Sequence, residues 1–257
     1  MNYLEAALLG IIQGLTEFLP VSSSGHLVLG EALLKVKQPG VAFEVIVHLG
    51  TLLSVLFYFR TRLMQLVRSV FDTSMRTERA MVGYLIIATI PAGFAGLLLE
   101  DFFEQVFSAP AMTSGFLILT GLILLSTKFH KPGGKPVTLG SCIVMGLGQA
   151  VAILPGVSRS GTTIASGMWA GVRPAEAAEF SFLLSIPAIA GAAVLKSPEL
   201  IGLDQALLGP YLVGAALSFI AGLIAVSSLL AIIRRGKFEY FAYYCFAVGL
   251  FGLYIFL

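Results

Sequence analysis

Six stretches of this chain, at about 43–59, 81–99, 111–127, 178–195, 207–231 and 241–257, run for 17 to 25 residues with Glu44 and Glu179 as their only Asp, Glu, Lys or Arg. A helix needs roughly 20 mainly apolar residues to cross the hydrocarbon core of a bilayer. Runs of this length can only be membrane spans or the core of something much larger than 257 residues. Composition decides between the two. Charged residues make up 12% of the chain, where a soluble domain carries about 25%, so there is too little charge to cover a water-exposed surface. The net charge of +2 gives no field to hold a polyanion, which excludes a nucleic-acid partner. A transmembrane barrel would alternate apolar and polar residues in ten-residue strands, and these runs are continuous. The reading is an all-α polytopic membrane protein.

Two further apolar regions, 3–34 and 139–172, behave differently. Each breaks at a cluster of Pro, Ser and Gly: Pro20-Val21-Ser22-Ser23-Ser24-Gly25-His26 and Pro155-Gly156-Val157-Ser158-Arg159-Ser160-Gly161. The arms on either side are about 10–16 residues long, too short to span. Broken helices at membrane depth are tolerated only where protein buries them or they line a wet cavity, so both regions read as re-entrant helical hairpins. The N-terminus has no basic leader segment and carries Glu5, Gln13 and Glu17 within its apolar run, so it reads as a retained helix and not a signal peptide. Cys142 and Cys245 sit in apolar stretches without metal-site spacing and read as small buried hydrophobes.

The two breaks match each other. An offset of 136 places Gln13 on Gln149, and Ser22, Ser24 and Gly25 on Ser158, Ser160 and Gly161. Each hairpin is followed by a helix opening with Phe and Glu, and then by two more spans. The chain therefore reads as one membrane domain, 1–257, built from a duplicated unit of one hairpin plus three spans: about 1–127 and about 137–257. Basic residues set the orientation. Twelve of the sixteen fall in the loops after the first, third and fifth spans and before the fourth: Arg60, Arg62, Arg68, Arg76, Arg79, Lys128, Lys131, Lys135, Arg173, Arg234, Arg235 and Lys237. Lys35, Lys37 and Lys196 lie in the opposite loops, beside acidic Glu100, Asp101, Glu104, Glu199 and Asp204. With the basic loops cytoplasmic, both termini face outward and the two hairpins enter from opposite sides. This is the inverted repeat whose broken tips meet near the midplane in transporters.

Ionisable groups at membrane depth are costly, by about 2.5–3.5 kcal/mol on insertion scales, and mark function. The candidates are Glu17, His26, Glu44, His48, Arg159 and Glu179. Gln13 and Glu17 share a helix face one turn apart. His26 follows the first break and Arg159 sits in the second. Glu44 and Glu179 read either as helix caps at the interface or as cavity groups; His48 reads either as a packed neutral ring or as a cavity group. If the tips meet, a carboxylate, an imidazole, a guanidinium and several hydroxyls share one cavity. Arginine offers a planar fork matched to phosphate oxygens, and Ser/Gly-rich helix starts make anion sites. A carboxylate beside an anion site suits a divalent cation bridging the two. A serine and a histidine add a nucleophile and a proton carrier. The set fits phosphoryl transfer or hydrolysis on a membrane-borne pyrophosphate.

At these clusters the sequence resembles the undecaprenyl-pyrophosphate phosphatase family, also called bacitracin-resistance proteins. Gln13-Gly14-Leu15-Thr16-Glu17-Phe18-Leu19-Pro20-Val21-Ser22-Ser23-Ser24-Gly25-His26 is similar to that family's E/Q-xxx-E motif running into its Pro-Val-Ser-Ser-x-Gly-His segment. Pro155-Gly156-Val157-Ser158-Arg159-Ser160-Gly161-Thr162-Thr163 is similar to its PGxSRSxxT motif, and Phe43-Glu44-Val45 and Glu179-Phe180-Ser181-Phe182 fit as well. The resemblance implies six transmembrane helices plus two re-entrant hairpins in an inverted-topology repeat. It implies hydrolysis of undecaprenyl pyrophosphate to the monophosphate and inorganic phosphate, recycling the lipid carrier for peptidoglycan synthesis and conferring bacitracin resistance. It implies a bacterial inner-membrane location with the active site toward the outer face, and a divalent cation, Mg²⁺ or Ca²⁺, as cofactor; a homodimer stays open.

Carried over by position, Glu17 would hold the metal or act in acid/base chemistry and Arg159 would clamp the pyrophosphate. Ser23 would be the nucleophile, with His26 as proton carrier or rival nucleophile. Ser22, Ser158, Ser160 and Thr163 would bind phosphate oxygens, and Gln13, Ser24, Gly25 and Gly161 complete the substrate-binding set. Gln13 stands where the family can carry a first acid, which weakens a two-carboxylate metal site. Another lipid-phosphatase class shares Ser-Gly-His and Ser-Arg fragments but needs a later histidine, and the sixth residue after Arg159 is Ala165. A secondary transporter or flippase for polyprenyl phosphate is the competing reading, since an inverted repeat is a transporter architecture.

Overall fold

A computed structural model describes residues 1–34, 42–99, 103, 105–106, 108–130, 133–201 and 204–257, with residues 34 and 199 described by backbone alone. Lys35, Lys37, Glu100, Asp101, Glu104 and Lys131, used above to orient the chain, lie outside the described residues. The described residues are mostly helical: α1 Tyr3–Phe18, α2 Ser23–Leu34, α3 Ala42–Tyr58, α4 Arg60–Phe71, α5 Arg76–Leu98, α6 Pro110–Ser126, α7 Leu139–Val151, α8 Arg159–Trp169, α9 Pro174–Leu195, α10 Gln205–Arg234 and α11 Phe241–Phe256. Five of these are long and apolar enough to span a membrane. A sixth span forms if α3 is counted with α4, which bends away from it by 77°.

Local chemistry explains the boundaries. Asn2 and Glu5 form a reciprocal capping box that starts α1. Thr138 and Ser141 do the same for α7. Pro110 and Pro174 open α6 and α9, where a missing N–H costs nothing. The hairpin arms have 16, 12, 13 and 11 residues. Even the longest rises only about 24 Å, short of a hydrocarbon core of about 30 Å.

Both predicted hairpins are present. Gly30 of α2 lies against Leu9 of α1; Gly148 of α7 faces Ser166 of α8, and Gly167 faces Met145. Each pair is therefore antiparallel, and each chain segment leaves by the end it entered. α1 packs along α10 and α7 along α5, so each hairpin leans on a long helix of the other half of the chain. The predicted basic loops gather at one end of the bundle. Lys135 N–H donates to the Gly171 carbonyl and Arg173 N–H to Lys135, His130 meets Trp169, and Arg62 Nε donates to Glu179 at 2.9 Å. The opposite end holds a cluster of Ala6, Leu9, Phe43 and Tyr211 with Met1, Leu200 and Leu207.

One expectation changes. The segment 60–79 reads from sequence as a basic loop, but Arg60–Phe71 is a helix. Val67, Val70 and Phe71 stay exposed while Leu66 and Ser69 are buried, so a narrow face holds α4 to the bundle. Glu179 is correspondingly an anchor for Arg62 at the basic end, away from the hairpin tips.

Candidate active site at the hairpin tips

The two breaks fold alike. Ser22 takes a left-handed backbone (φ 68°), an uncommon conformation for a residue with a Cβ. Its Oγ accepts the Gly25 N–H at 3.3 Å and lies 3.3 Å from Ser24 Oγ. Ser158 Oγ accepts the Gly161 N–H at 3.1 Å and lies 3.3 Å from Ser160 Oγ. The offset of 136 thus relates hydrogen bonds as well as letters. In both tips a serine hydroxyl accepts an N–H from the first turn of the helix that follows, at that helix's positive dipole end.

The tips touch. A Cβ on Gly25 would stand 3.1 Å from Gly156 Cα, and Ser160 Oγ donates to the Leu19 carbonyl at 3.1 Å. Gly156 has φ 93° and presses its α-carbon on α6, where a Cβ would come within 2.3 Å of the Thr113 carbonyl oxygen. Only glycine fits that turn. Thr120 staples the same turn: its Oγ1 donates to the Gly156 carbonyl at 2.8 Å and accepts the Ser158 N–H at 3.0 Å. Thr120→Val should leave both groups buried and unpaired, at about 1–3 kcal/mol each. Thermal unfolding in detergent should show the loss, with Thr120→Ser close to the parent.

Glu17, at the end of α1 and 6% exposed, is the hub. Its Oε1 pairs with Arg159 Nη2, 142 residues away. Its Oε2 accepts Ser23 Oγ–H at 2.5 Å and Gln13 Nε2–H at 2.9 Å, and lies 3.5 Å from His48 Nε2. His48 Nδ1 lies 2.7 Å from the Glu44 carbonyl. Glu17, Ser23, His48 and Arg159 floor a cavity of 1250 Å³ that runs between α2, α3, α5 and α9. It runs toward the ends of α2, α5 and α9 remote from the basic loops, reaching Glu31, Leu97 and Leu195.

All twelve sequence-predicted site residues lie at the paired tips, but only Glu17, Ser22, Ser23, Ser24, Ser158 and Arg159 reach the cavity wall. Gln13 sits behind Glu17. Gly25, Ser160 and Gly161 make the tip-to-tip and tip-to-helix contacts. Thr163 Oγ1 donates to the Arg159 carbonyl at 2.7 Å and meets Ser181, holding the first turn of α8 from behind. His26 turns away: Nδ1 meets the Ser22 carbonyl, Nε2 accepts from the Tyr244 hydroxyl at 2.8 Å, and the rings stack at 5.6 Å.

Glu44 and His48, left open between two readings, both line the cavity. Thr89 and Gln149 line it too and were not anticipated as site residues. Gln149 is 2% exposed with neither amide atom hydrogen-bonded. The repeat match to Gln13 was the available signal for Gln149; a single threonine in an apolar span gives none.

Among the described residues, no group of three or more His, Cys, Asp or Glu could alone hold a metal ion. The oxygen donors that fit one are the Glu17 carboxylate and Gln13 Oε1, which is buried with no partner beside it. Mg²⁺ uses one or two carboxylates plus substrate phosphates and water, so this set fits a cation that a phosphate-bearing ligand completes.

The family model for bacitracin resistance protein BacA matches residues 6–251. Undecaprenyl-diphosphatase 1 of Shouchella clausii is 41% identical over 263 residues, covering 97% of this chain and 95% of that protein. The undecaprenyl-diphosphatase of Desulforapulum autotrophicum is 37% identical over 270 residues, covering 98% of each chain. That of Salinibacter ruber is 40% identical over 270 residues, covering 99% of this chain and all of the relative. A family model matching residues 6–251 and relatives of this identity along nearly the whole chain leave one placement: this chain belongs to the bacitracin resistance protein BacA family.

Proposed function

We infer that this protein hydrolyses undecaprenyl diphosphate to undecaprenyl phosphate and inorganic phosphate, recycling the lipid carrier for cell-wall synthesis. The observation that carries the reading is the Glu17–Arg159 pair joining two serine-capped helix starts on the floor of a cavity within the membrane part of the fold. The relatives' names supply the lipid; the site supplies the chemistry. Arg159 has five N–H donors and spends few on Glu17, so the others are free to clamp phosphate oxygens. Ser22, Ser24 and Ser158 add hydroxyls around the same volume.

Ser23 is the nucleophile in this reading. Its proton passes along the 2.5 Å bond to Glu17 Oε2 as Oγ attacks the terminal phosphorus. The bridging P–O bond breaks, undecaprenyl phosphate leaves, and water then hydrolyses the phosphoserine. His26, with both ring nitrogens engaged, is a positioning residue for the first tip. A divalent cation, Mg²⁺ or Ca²⁺, would be held by Glu17 with Gln13 behind it, and when bound it neutralises phosphate charge. The matching tip hydrogen bonds and crossed packing support duplicated units of about 1–127 and 137–257. Gathering of the basic loops at one end supports an inner-membrane orientation with that end cytoplasmic and the termini and cavity mouth periplasmic.

The test is phosphate release by detergent-purified protein from undecaprenyl or farnesyl diphosphate, with and without Mg²⁺ or Ca²⁺. Metal-stimulated release is expected, with Glu17→Gln losing the metal dependence. No release, together with intact lipid movement in proteoliposomes, would replace hydrolysis with transport of the lipid carrier.

A further inference from the structure

His48 stands nearly two turns into α3, and the Glu44 carbonyl fixes a proton on one of its ring nitrogens. Nδ1 lies 2.7 Å from the Glu44 carbonyl oxygen. A carbonyl only accepts, so Nδ1 carries the proton, and a neutral imidazole then presents a bare lone pair at Nε2. That lone pair lies 3.5 Å from Glu17 Oε2, another acceptor. Two acceptors facing each other at this distance need positive charge between them, either a proton on Nε2 or a metal ion. Two donors on adjacent positions of one cation, with bonds of roughly 2.0–2.4 Å, stand about 3–3.5 Å apart. Donation of the second ring N–H to a backbone carbonyl is also how metal-bound histidines are held.

We propose that His48 Nε2 and Glu17 Oε2 are paired ligands for a divalent cation that accepts imidazole, of the Mn²⁺ or Zn²⁺ kind. This rests on the reading above, that Glu17 holds the cation, and adds a ligand that changes which cation is preferred. Imidazole suits borderline metals, whereas Mg²⁺ and Ca²⁺ take oxygen. The surroundings agree. Glu17 gives its other oxygen to Arg159, so the guanidinium does not compete for Oε2. Gln13 Oε1 is buried and unpartnered beside it, and Glu44 lines the same cavity one turn before His48. His26, the histidine of the first tip, faces away from the cavity and has its Nε2 occupied by Tyr244. Gln13 carries an amide and no carboxylate, so His48 is the second strong donor beside Glu17.

Mn²⁺ is the probe. The purified full-length protein loaded with Mn²⁺ should show ¹⁴N imidazole coupling by electron spin-echo modulation. The coupling should persist in His26→Ala and vanish in His48→Gln, and Mn²⁺ affinity should fall at least about tenfold in His48→Gln with Mg²⁺ affinity little changed. Bound Mn²⁺ in the parent without ¹⁴N coupling overturns His48 as a ligand and leaves the Glu17 reading standing; that arm needs no variant to fold. Unchanged Mn²⁺ affinity in His48→Gln also overturns it, pointing to an imidazolium paired with Glu17. Absence of any Mn²⁺ binding by the parent removes the cation from both readings, while phosphate release tests hydrolysis separately.

Discussion

Arg159→Ala is expected to lower phosphate release by about 10²–10³-fold or more, the usual loss when a preorganised donor to developing negative charge is removed. Arg159 is held in place by its own neighbours. It opens α8, its carbonyl is tied by Thr163, and its head is fixed on Glu17. Removing it also leaves Glu17 without its strongest partner. Breaking a fully buried pair costs about 3–5 kcal/mol, but the Arg159 side chain is 17% exposed on a cavity, and Glu17 keeps Ser23 and Gln13. The stability cost should therefore fall below that range. Thermal unfolding beside phosphate release separates the two losses. Arg159→Ala with Glu17→Gln should recover stability and no activity. Arg159→Lys should keep the charge, lose the fork and remain weak. Near-parent turnover in Arg159→Ala would remove the clamp from the mechanism.

Some of this site could be read before any coordinates, and the reason is physical. Glu17 and Arg159 are 142 residues apart, yet each interrupts an apolar run where a charge is costly, and the runs break in matching ways. Cost and repetition together pointed at one cavity. Five of the spans followed from length alone, and 178–195 lies within Pro174–Leu195. What stayed hidden depends on rotation and on approach between elements. His26 and Ser23 are three residues apart on one short helix, yet one faces Tyr244 and the other Glu17. No spacing rule tells which side of α2 meets the cavity. Thr120 and Gln149 matter because of what the fold brings to them. Helix α4 has only 12 residues with three arginines, and its narrow buried face leaves no long apolar run to notice.

Gly14→Ala is expected to destabilise the protein where a helical Gly→Ala change elsewhere helps by about 0.5–1 kcal/mol. A Cβ on Gly14 would stand 2.5 Å from the Ser218 carbonyl oxygen and 2.6 Å from Ala221 Cβ; one on Gly10 would stand 2.3 Å from the Gly214 carbonyl oxygen. These are backbone and stub contacts with nothing flexible to yield. α10 cannot back away either, because its Gly222 is pressed by Ser54 of α3, where a Cβ would meet Oγ at 2.5 Å. Small residues give close approach where lipid supplies no hydrophobic drive between helices, and overpacking such a seam costs about 1–3 kcal/mol or more. Gly83 on α5 has nothing within 4 Å of its added Cβ and serves as control: Gly83→Ala should melt at or above the parent temperature, Gly14→Ala several degrees below. The seam also fixes the depth of Glu17, one turn beyond Gly14, against Arg159 on the opposing tip. Phosphate release in Gly14→Ala should therefore fall further than its folded fraction does. A variant that melts early yet keeps full specific activity would mean that the α1–α10 contact stabilises the fold without setting the Glu17–Arg159 register.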